Sequence, residues 1–410
     1  MLPGRMSSLS TPDRWLRILL AVLLALGCYL RLDASVGFKP AGTDEYLYGA
    51  YVKFLHQRGF SSYPDLVEIY LHDQAQRTGA VLPPMRVFYI TAGTVVTNLT
   101  GWEEKSALNA VSMSCSMVVL FLAAGFAWRL GGPCVGVITT AFMVFAPTQL
   151  FMARHAMIDI TVSMWSLAAL WTLWEALQAP EKPLRLVLFG AALAGLVLTK
   201  ENSFFTIVGL GALLLLNRWL GFGKVTPRVL AAGVCGGVVG GAILIILSGG
   251  LGPLIEGYRL LVTSAYHLDY AIQTGDGPWQ RYLFEEILVS PLILILALGM
   301  FLRLRKEDRG PLFLGLFVIV TYALMASVKY GMNLRYTNLW DLPLRFLAAT
   351  LLVALVESWK IRIPRSVVLV GLTLFICTAE FHQYQRIFVI NGVYEPVTPE
   401  LLHAVDILKL

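Results

Sequence analysis

Ionisable residues stand at the same end of several apolar segments of this chain, and their types suit proton transfer and phosphate binding. They are the acid pair Asp44-Glu45, then Arg154, His155 and Asp159, then Lys200-Glu201, and finally Lys329 and Arg335-Tyr336. A charge near the bilayer centre costs about 2.5–3.5 kcal/mol on insertion scales, so such residues are functional candidates by default. If the odd-numbered segments run outward, these groups meet at one face of a membrane and form a polar pocket for an anionic, phosphate-bearing substrate.

The adjacent carboxylates Asp44 and Glu45 have two interpretations. Acids at a helix N-terminus complement its dipole and stabilise it by about 0.3–1 kcal/mol, which is a structural role. In the functional interpretation Asp44 is a general base that removes a proton from an acceptor hydroxyl or amine, work that contributes about 10²–10⁴-fold in rate. Glu45 then orients Asp44 or joins it in holding a divalent cation, which leaves a metal requirement undecided.

Three residues of the later turns suit the binding of a phosphate-bearing substrate. Arg154 offers a guanidinium that can hold a phosphate bidentately, and Asp159 can orient it or assist the acceptor. Lys200 supplies a point charge beside a leaving phosphate. The structural alternatives are that Arg154 and Lys200 snorkel to the interface and that Asp159 caps the following helix.

The remaining candidates are weaker. Lys329, Arg335 and Tyr336 either anchor a span at the interface or bind phosphate. Glu201 beside Lys200 suggests a helix end aimed at the pocket. His155 and His267 line the pocket or are structural. Asp341 and Arg345, spaced i, i+4, are expected to pair.

Two kinds of site are not indicated. The six histidines show no H-E-x-x-H spacing, so a zinc enzyme is not expected. The five cysteines all lie in apolar segments without C-x-x-C spacing, and we expect them to be small core residues.

The composition is that of an integral membrane protein. Of 410 residues, 57% are hydrophobic and 14% charged, with a mean hydropathy of +0.68, whereas about a quarter of the residues of soluble domains are charged. The net charge of +6 is modest, and we expect no nucleic-acid partner. About eleven stretches are long and apolar enough to span a bilayer, namely 15–31, 106–128, 133–150, 158–178, 184–199, 203–220, 228–248, 285–303, 311–328, 336–356 and 364–380.

The distribution of Lys and Arg predicts the topology. These residues cluster before the first span and in the short loops after even-numbered spans, which the positive-inside rule assigns to the cytoplasm. The N-terminus is then cytoplasmic, the first span is a retained anchor, and the candidate pocket and the C-terminus lie outside. We expect one transmembrane domain over 1–380 and a short extracytoplasmic segment over 381–410.

Two long outward loops, about 32–105 and 249–284, are expected to cover the pocket, because loops of this length are commonly functional. The first contains a predicted helix from Thr43 to His56 and an apolar helix over Val87–Leu99 lying against the membrane. The second contains an amphipathic helical pattern over 254–265. Between the loops, Gly233, Gly237 and Gly241 form a small-residue face that permits close helix packing.

The order of these motifs resembles the GT-C membrane glycosyltransferases, particularly the branch that contains protein O-mannosyltransferases and bacterial lipid A aminoarabinose transferases. The shared series covers most of the chain and consists of Asp44-Glu45, Pro83-Pro84, Arg154 to Asp159, Thr199-Lys200, Pro278-Trp279 with Tyr282, and Arg335-Tyr336. The chain departs from the pattern in two ways: it is short, without a sizeable soluble C-terminal domain, and Glu201 follows Lys200 where a small or aromatic residue is more usual.

The resemblance implies an all-α polytopic bundle in a plasma membrane, the inner membrane of a bacterium. It implies inverting transfer of a hexose or pentose from a polyprenyl-phosphate donor, on the extracytoplasmic face, to a lipid, glycan or protein acceptor. By this resemblance Asp44 is the base, Asp159 the second acid, and Arg154, Lys200 and Arg335 the lipid-phosphate site.

Two other classes of protein remain open at the level of sequence. A secondary transporter or lipid flippase would show repeats and charges near the membrane midplane, whereas these charges gather at one rim. A non-catalytic membrane scaffold leaves the converging charges unexplained.

Overall fold

A computed structural model describes residues 13–32, 43–267, 275, 277–328, 332–360 and 362–393, and within these ranges the regular structure is helical throughout. The α-helices are α1 (Asp13–Leu32), α2 (Thr43–Arg58), α3 (Tyr63–Ala75), α4 (Val87–Thr100), α5 (Glu104–Val144), α6 (Pro147–Met152), α7 (Asp159–Gln178), α8 (Pro183–Thr199), α9 (Ser203–Leu220), α10 (Pro227–Leu247), α11 (Leu251–Ala265), α12 (Arg281–Val289), α13 (Pro291–Phe301), α14 (Arg309–Met325), α15 (Asp341–Ser358) and α16 (Arg365–Tyr384). Short 3₁₀ segments cover Phe60–Ser62 and Leu334–Trp340, and a π-helical turn covers Gln385–Ile390.

Helices occupy all the positions predicted for membrane spans, with differences at their ends. Among the described residues, seven helical runs are long and apolar enough to cross a membrane. Four shorter apolar helices, α4, α8, α13 and α14, accompany them. The all-helical membrane fold is therefore confirmed, and the number of crossings stays a prediction. The predicted span 285–303 is divided at Ser290 into α12 and α13.

Helix α5 contains a reversal of direction at Gly132. Gly132 has φ 77°, a left-handed conformation that a Cβ would strain, and Pro133 follows it. The glycine and proline together interrupt the helical hydrogen bonding, and the chain turns back. This turn accounts for the two separate apolar stretches predicted over 106–128 and 133–150.

The first long loop is an ordered helical layer. Helices α2 and α4 are found where the sequence predicts them, and α4 packs on α5, where the Tyr89 hydroxyl hydrogen-bonds Ser112 Oγ over 2.8 Å. Three tyrosine hydroxyls donate to the extended stretch before α4. Tyr51 reaches the carbonyl of Leu82, Tyr63 that of Pro84, and Tyr70 that of Val81. These bonds fix a segment that has no helical hydrogen bonds of its own.

Helices α8 and α10 pack closely through a glycine face that includes Gly233 of the predicted set but not Gly237 or Gly241. A Cβ at Gly236 would lie 2.2 Å from the carbonyl oxygen of Gly190, and one at Gly240 would lie 2.9 Å from that of Ala194. Gly237 and Gly241 have no atom within 4 Å of an added Cβ. The prediction of a face through Gly237 was wrong in register, because glycines recur every four residues in two overlapping sets.

The orientation of α10 also determines the exposure of its cysteine, Cys235. Cys115 and Cys377 are buried and Cys28 and Cys134 are half-buried, whereas Cys235 is exposed. Cys235 precedes the contact residue Gly236 and lies on the outer side of α10. The expectation of a core position was wrong for this residue.

The C-terminal helices enclose a buried ionic network. Arg345 pairs with Asp341, as the i, i+4 spacing predicts, and its Nη2 lies 2.9 Å from Glu380 Oε2. Ser290 Oγ donates to the same Glu380 oxygen over 2.8 Å. The helical run continues past residue 380 to Ile390, where Phe388 stacks on Phe151 with ring centroids 4.5 Å apart.

Candidate active site

Four charged side chains from distant parts of the chain meet at one end of the bundle. Arg335 Nη1 lies 3.2 Å from Asp44 Oδ2 and 3.9 Å from Asp159 Oδ2. Lys200 Nζ donates to Asp159 Oδ1 over 2.7 Å. The same ammonium lies 4.4 Å from the ring centroid of Tyr336, within cation–π range. The structure thus brings together five of the predicted site residues.

The accessibility of these groups differs in a way that matters for chemistry. Asp159 and Lys200 are buried, with side chains 5% and 4% exposed. The Asp44 side chain is 33% exposed. A buried ion pair fixes geometry, whereas a carboxylate that is still reachable can exchange a proton with a second substrate. Asp44 has the setting of the reactive acid.

The 3₁₀ segment Leu334–Trp340 positions Arg335 and Tyr336. Asn333 Oδ1 accepts from the backbone N of Arg335 over 2.9 Å and from its Nε over 3.3 Å. At the other end of the segment, Trp340 Nε1 donates to Thr321 Oγ1 over 2.8 Å. Both ends of the segment are therefore fixed by side chains, which limits the directions available to the guanidinium.

A second ion pair, with a buried arginine and a half-buried glutamate, adjoins the first. Arg86, the residue before α4, binds Glu201 through Nη2 and Nε, and its Nη1 binds the hydroxyl of Tyr48. Tyr48 lies one helical turn after Asp44 on α2, so one face of α2 holds both residues. Arg86 was not among the predicted site residues, although it is a lone cation between Pro83-Pro84 and an apolar run.

The charges around Glu201 dominate over its burial. Burial alone would raise the pKa of Glu201, but the nearby charges of Arg86 and Lys200 hold that pKa below its usual value. Burial raises the pKa of the Tyr48 phenol well above its usual value, against the charge of Arg86. Glu201 is therefore a carboxylate and Tyr48 a neutral phenol at neutral pH.

Glu45 faces away from Asp44. Its Oε1 accepts from His155 Nδ1 over 3.0 Å and from the backbone N of Ala156 over 3.1 Å, and its Oε2 lies 3.3 Å from Lys105 Nζ. Consecutive residues of a helix point about 100° apart at 3.6 residues per turn, so the two acids serve different neighbours. Glu45 joins α2 to the turn before α7, and Lys105 is a partner that was not predicted.

The other predicted residues are spread around this cluster. Arg154 is half-buried and its Nη2 donates to the carbonyl oxygen of Leu30 at the end of α1 over 2.9 Å. His267 is exposed just after α11. Lys329 and the segment 394–410 lie outside the described residues. Asp159 is the first residue of α7 and makes no side-chain capping bond, so its role is in the ion pairs.

A small cavity adjoins the ion pairs. It is lined by Asp159, Arg335 and Tyr336 together with Asn202 and Asn338. The Nδ2 atoms of both asparagines are buried and have no hydrogen-bond partner among the described residues. They are donors available to a ligand oxygen at this place. Among the described residues no group of three or more His, Cys, Asp or Glu is arranged to hold a metal ion.

One family model matches part of the chain. A family described as dolichyl-phosphate-mannose-protein mannosyltransferase matches residues 84–248, which include Arg86, Asp159, Lys200 and Glu201. No curated protein sequence is similar enough to the chain to be matched.

Several solved structures share the fold of the chain. ArnT from Cupriavidus metallidurans bound to undecaprenyl phosphate matches with a TM-score of 0.55 and 15% identity, over 93% of this chain and 73% of that one. The apo oligosaccharyltransferase from Archaeoglobus fulgidus matches with a TM-score of 0.64 and 12% identity, over 94% and 57%. The oligosaccharyltransferase AglB from Archaeoglobus fulgidus, in complex with an inhibitory peptide and a dolichol-phosphate, matches with a TM-score of 0.55 and 13% identity, over 93% of this chain and 56% of that one.

The helical bundle shares the fold of these solved structures. The family model over 84–248 covers less than half of the chain.

Proposed function

We propose that the chain transfers a sugar from a polyprenyl-phosphate donor to an acceptor hydroxyl or amine at the extracytoplasmic face, with inversion at the anomeric carbon. The observation that carries the proposal is the bridge from Asp44 through Arg335 to Asp159 and Lys200. It sets a reachable carboxylate beside two cations. The structural relatives that hold undecaprenyl phosphate and dolichol-phosphate support a lipid-phosphate donor.

The reaction balances with these groups. The acceptor oxygen or nitrogen attacks the anomeric carbon and forms the new glycosidic bond, while the bond from that carbon to the phosphate oxygen breaks. The electron pair leaves with the polyprenyl phosphate, and the acceptor proton passes to Asp44. Lys200 and Arg335 stabilise the added negative charge on the leaving phosphate, and such preorganised charge is usually the largest contribution to catalysis.

The ion pairs neutralise these cations when no substrate is bound. The guanidinium and ammonium groups of Arg86, Lys200 and Arg335 are balanced by the carboxylates of Asp44, Asp159 and Glu201. Because the charges cancel, the cations keep their positions without a ligand. Arg335, with a side chain 10% exposed, is the cation that a phosphate can reach. Arg154 and Glu45 support the surrounding turn in this proposal.

The family match favours transfer over the transporter or flippase alternative. In the predicted topology the ionic cluster faces the extracytoplasmic side. The lipid-linked donor must therefore reach the extracytoplasmic leaflet before it reacts. The proposed location is a plasma membrane, the inner membrane of a bacterium.

The experiment is an assay of the purified full-length protein with a panel of radiolabelled polyprenyl-phosphate hexoses and pentoses. We expect one donor to be consumed and polyprenyl phosphate to be released, with the label recovered in a lipid, glycan or protein acceptor or in water. Release of no polyprenyl phosphate from any donor, together with movement of intact lipid across proteoliposomes, would instead support a flippase.

A further inference from the structure

A second cavity lies at the end of the bundle remote from the ionic cluster. Its volume is about 410 Å³, within the range of about 300–1,000 Å³ common for ligand sites. Its wall includes Leu130 and Gly131, while Lys105 on the same helix contacts Glu45 near the ionic cluster. The intervening length of α5 is about 37 Å at 1.5 Å per residue. The cavity therefore belongs to the opposite side of the membrane domain, the predicted cytoplasmic side.

The interior of this cavity is apolar. Trp174, Met300, Phe346 and Val353 line it, and each is at most 8% exposed. These side chains come from α7, α13 and α15, and the turn of α5 at Gly132 closes one wall. Such a lining accommodates hydrocarbon, because burying apolar surface is favourable by about 25 cal/mol per Å².

The mouth of the cavity carries five ionisable side chains of both signs: Arg303, Glu307, Asp308, Arg309 and Glu357. Asp308 and Glu357 are half-buried and the other three are exposed. Within the described part of the chain, none of the five forms an ion pair or a side-chain hydrogen bond. Asp308 Oδ2 is buried without a partner.

This setting is unlike that of Asp159 and Glu380, two other carboxylates buried in the bundle. Asp159 and Glu380 are each held by a cation and by hydrogen bonds. A half-buried carboxylate oxygen without a donor costs about 1–3 kcal/mol or more, since it has lost water and gained no partner. Asp308, which lines the cavity together with Glu357, can thus accept hydrogen bonds from a group that enters it.

We propose that this cavity binds a lipid whose head group carries both a primary ammonium and a phosphate, an aminophospholipid. The ammonium lies between Asp308 and Glu357, the phosphate meets Arg303 and Arg309, and the upper acyl chains lie along the apolar wall. An anionic lipid without an amine has no N–H to donate to Asp308 and Glu357, which both line the cavity. A quaternary ammonium has no N–H to donate to the carboxylates.

The test is lipid binding by the purified full-length protein in detergent, followed by native mass spectrometry and by the shift in unfolding temperature. The probes are phosphatidylethanolamine, phosphatidylcholine, phosphatidylglycerol and chain-free phosphoethanolamine. We expect phosphatidylethanolamine to bind best and the double variant Asp308→Asn/Glu357→Gln to bind it about tenfold more weakly, as expected for lost hydrogen bonds to charged groups.

Glu181→Gln is the matched control, because Glu181 is an exposed acid of the loop between α7 and α8, outside the cavity lining. It should bind phosphatidylethanolamine like the wild type. Equal retention of the three phospholipids, or unchanged binding by the double variant, would overturn the proposal. Chain-free phosphoethanolamine binding as tightly as the lipid would overturn the lipid assignment. Sugar transfer by the double variant, measured in parallel, shows that it is folded.

Discussion

Arg335 places one guanidinium nitrogen between two acids from different helices, 3.2 Å from Asp44 Oδ2 and 3.9 Å from Asp159 Oδ2. Asp44 lies in the first turn of α2, in the first long loop, whereas Asp159 begins α7 in the membrane domain. The contact therefore connects the outer layer to the bundle at the candidate site. The Arg335 guanidinium is also more accessible than the Lys200 ammonium. In the proposed reaction Arg335 therefore both positions Asp44 and stabilises charge on the leaving phosphate.

We expect Arg335→Gln to lower transfer by about 10²–10³-fold, the usual effect of removing one preorganised donor from a developing negative charge. The measurement is kcat/KM with the donor identified by the radiolabel assay. Arg259→Gln is the control, because Arg259 is exposed on α11 and pairs only locally, with Glu256. Wild-type activity in Arg335→Gln would show that this guanidinium does not face the reacting phosphate.

Substitutions of the neighbouring acids Asp44 and Glu45 should have different effects, one on catalysis and the other on stability. Asp44→Asn removes the proposed base while keeping its shape, and we expect a loss of transfer of about 10²–10⁴-fold with an unchanged unfolding temperature. Glu45→Gln weakens contacts to His155, Ala156 and Lys105. We expect it to lower the free energy of unfolding by about 1–3 kcal/mol, with much of the activity retained in the folded fraction.

Activity and thermal unfolding of the two variants are measured side by side in the same detergent. Full transfer by Asp44→Asn would remove the base assignment. Complete loss of transfer by Glu45→Gln at wild-type stability would instead give Glu45 a part in the chemistry, such as holding a cation with Asp44.

The sequence predicts the helical membrane fold well because each span must satisfy its backbone internally and stay apolar over its length. It also predicts which charges meet, since Asp44, Asp159, Lys200 and Arg335 all follow spans on the same predicted side. Position along the chain is enough for that inference. It does not require knowledge of which side chains touch.

Pairing within the cluster could not be predicted in the same way. Arg86 binds Glu201 across 115 positions, and Glu45 binds His155 across 110. Which acid of Asp44-Glu45 faces which cation depends on the rotation of α2 about its axis, and α2 has no strong apolar face to fix that rotation in the sequence. The glycine register of α10 failed for a related reason, since Gly236 and Gly237 belong to two equally spaced sets.

Two alanine substitutions test which glycines of α10 face α8. Gly236→Ala would place a Cβ 2.2 Å from the carbonyl oxygen of Gly190, so α8 and α10 must separate, and we expect a loss of about 1–3 kcal/mol as for other overpacked contacts. Gly237→Ala, one residue along and with nothing within 4 Å, should be neutral or slightly stabilising. Thermal unfolding of both variants decides the register, and the reverse order of stabilities would place the opposite face of α10 against α8.

The Arg86–Glu201 pair predicts a dependence of stability on pH. The pKa of Glu201 is lower in the folded protein than its ordinary value of 4.5, so the folded state binds this proton less readily than the unfolded state. The stabilisation is therefore fully present above about pH 5 and is lost as the pH falls through the folded pKa. We expect Glu201→Gln to unfold at a lower temperature than the wild type between pH 6 and 8, by an amount that does not change over this interval.

Below pH 4.5 the unfolding temperatures of the wild type and Glu201→Gln should converge, because protonation removes the same charge that the substitution removes. Glu256→Gln, which alters an exposed pair with Arg259, should follow the wild type at every pH, since surface pairs contribute little. A difference between wild type and Glu201→Gln that grew on acidification would mean that the carboxyl is protonated in the folded protein, and the pairing with Arg86 would then not be ionic.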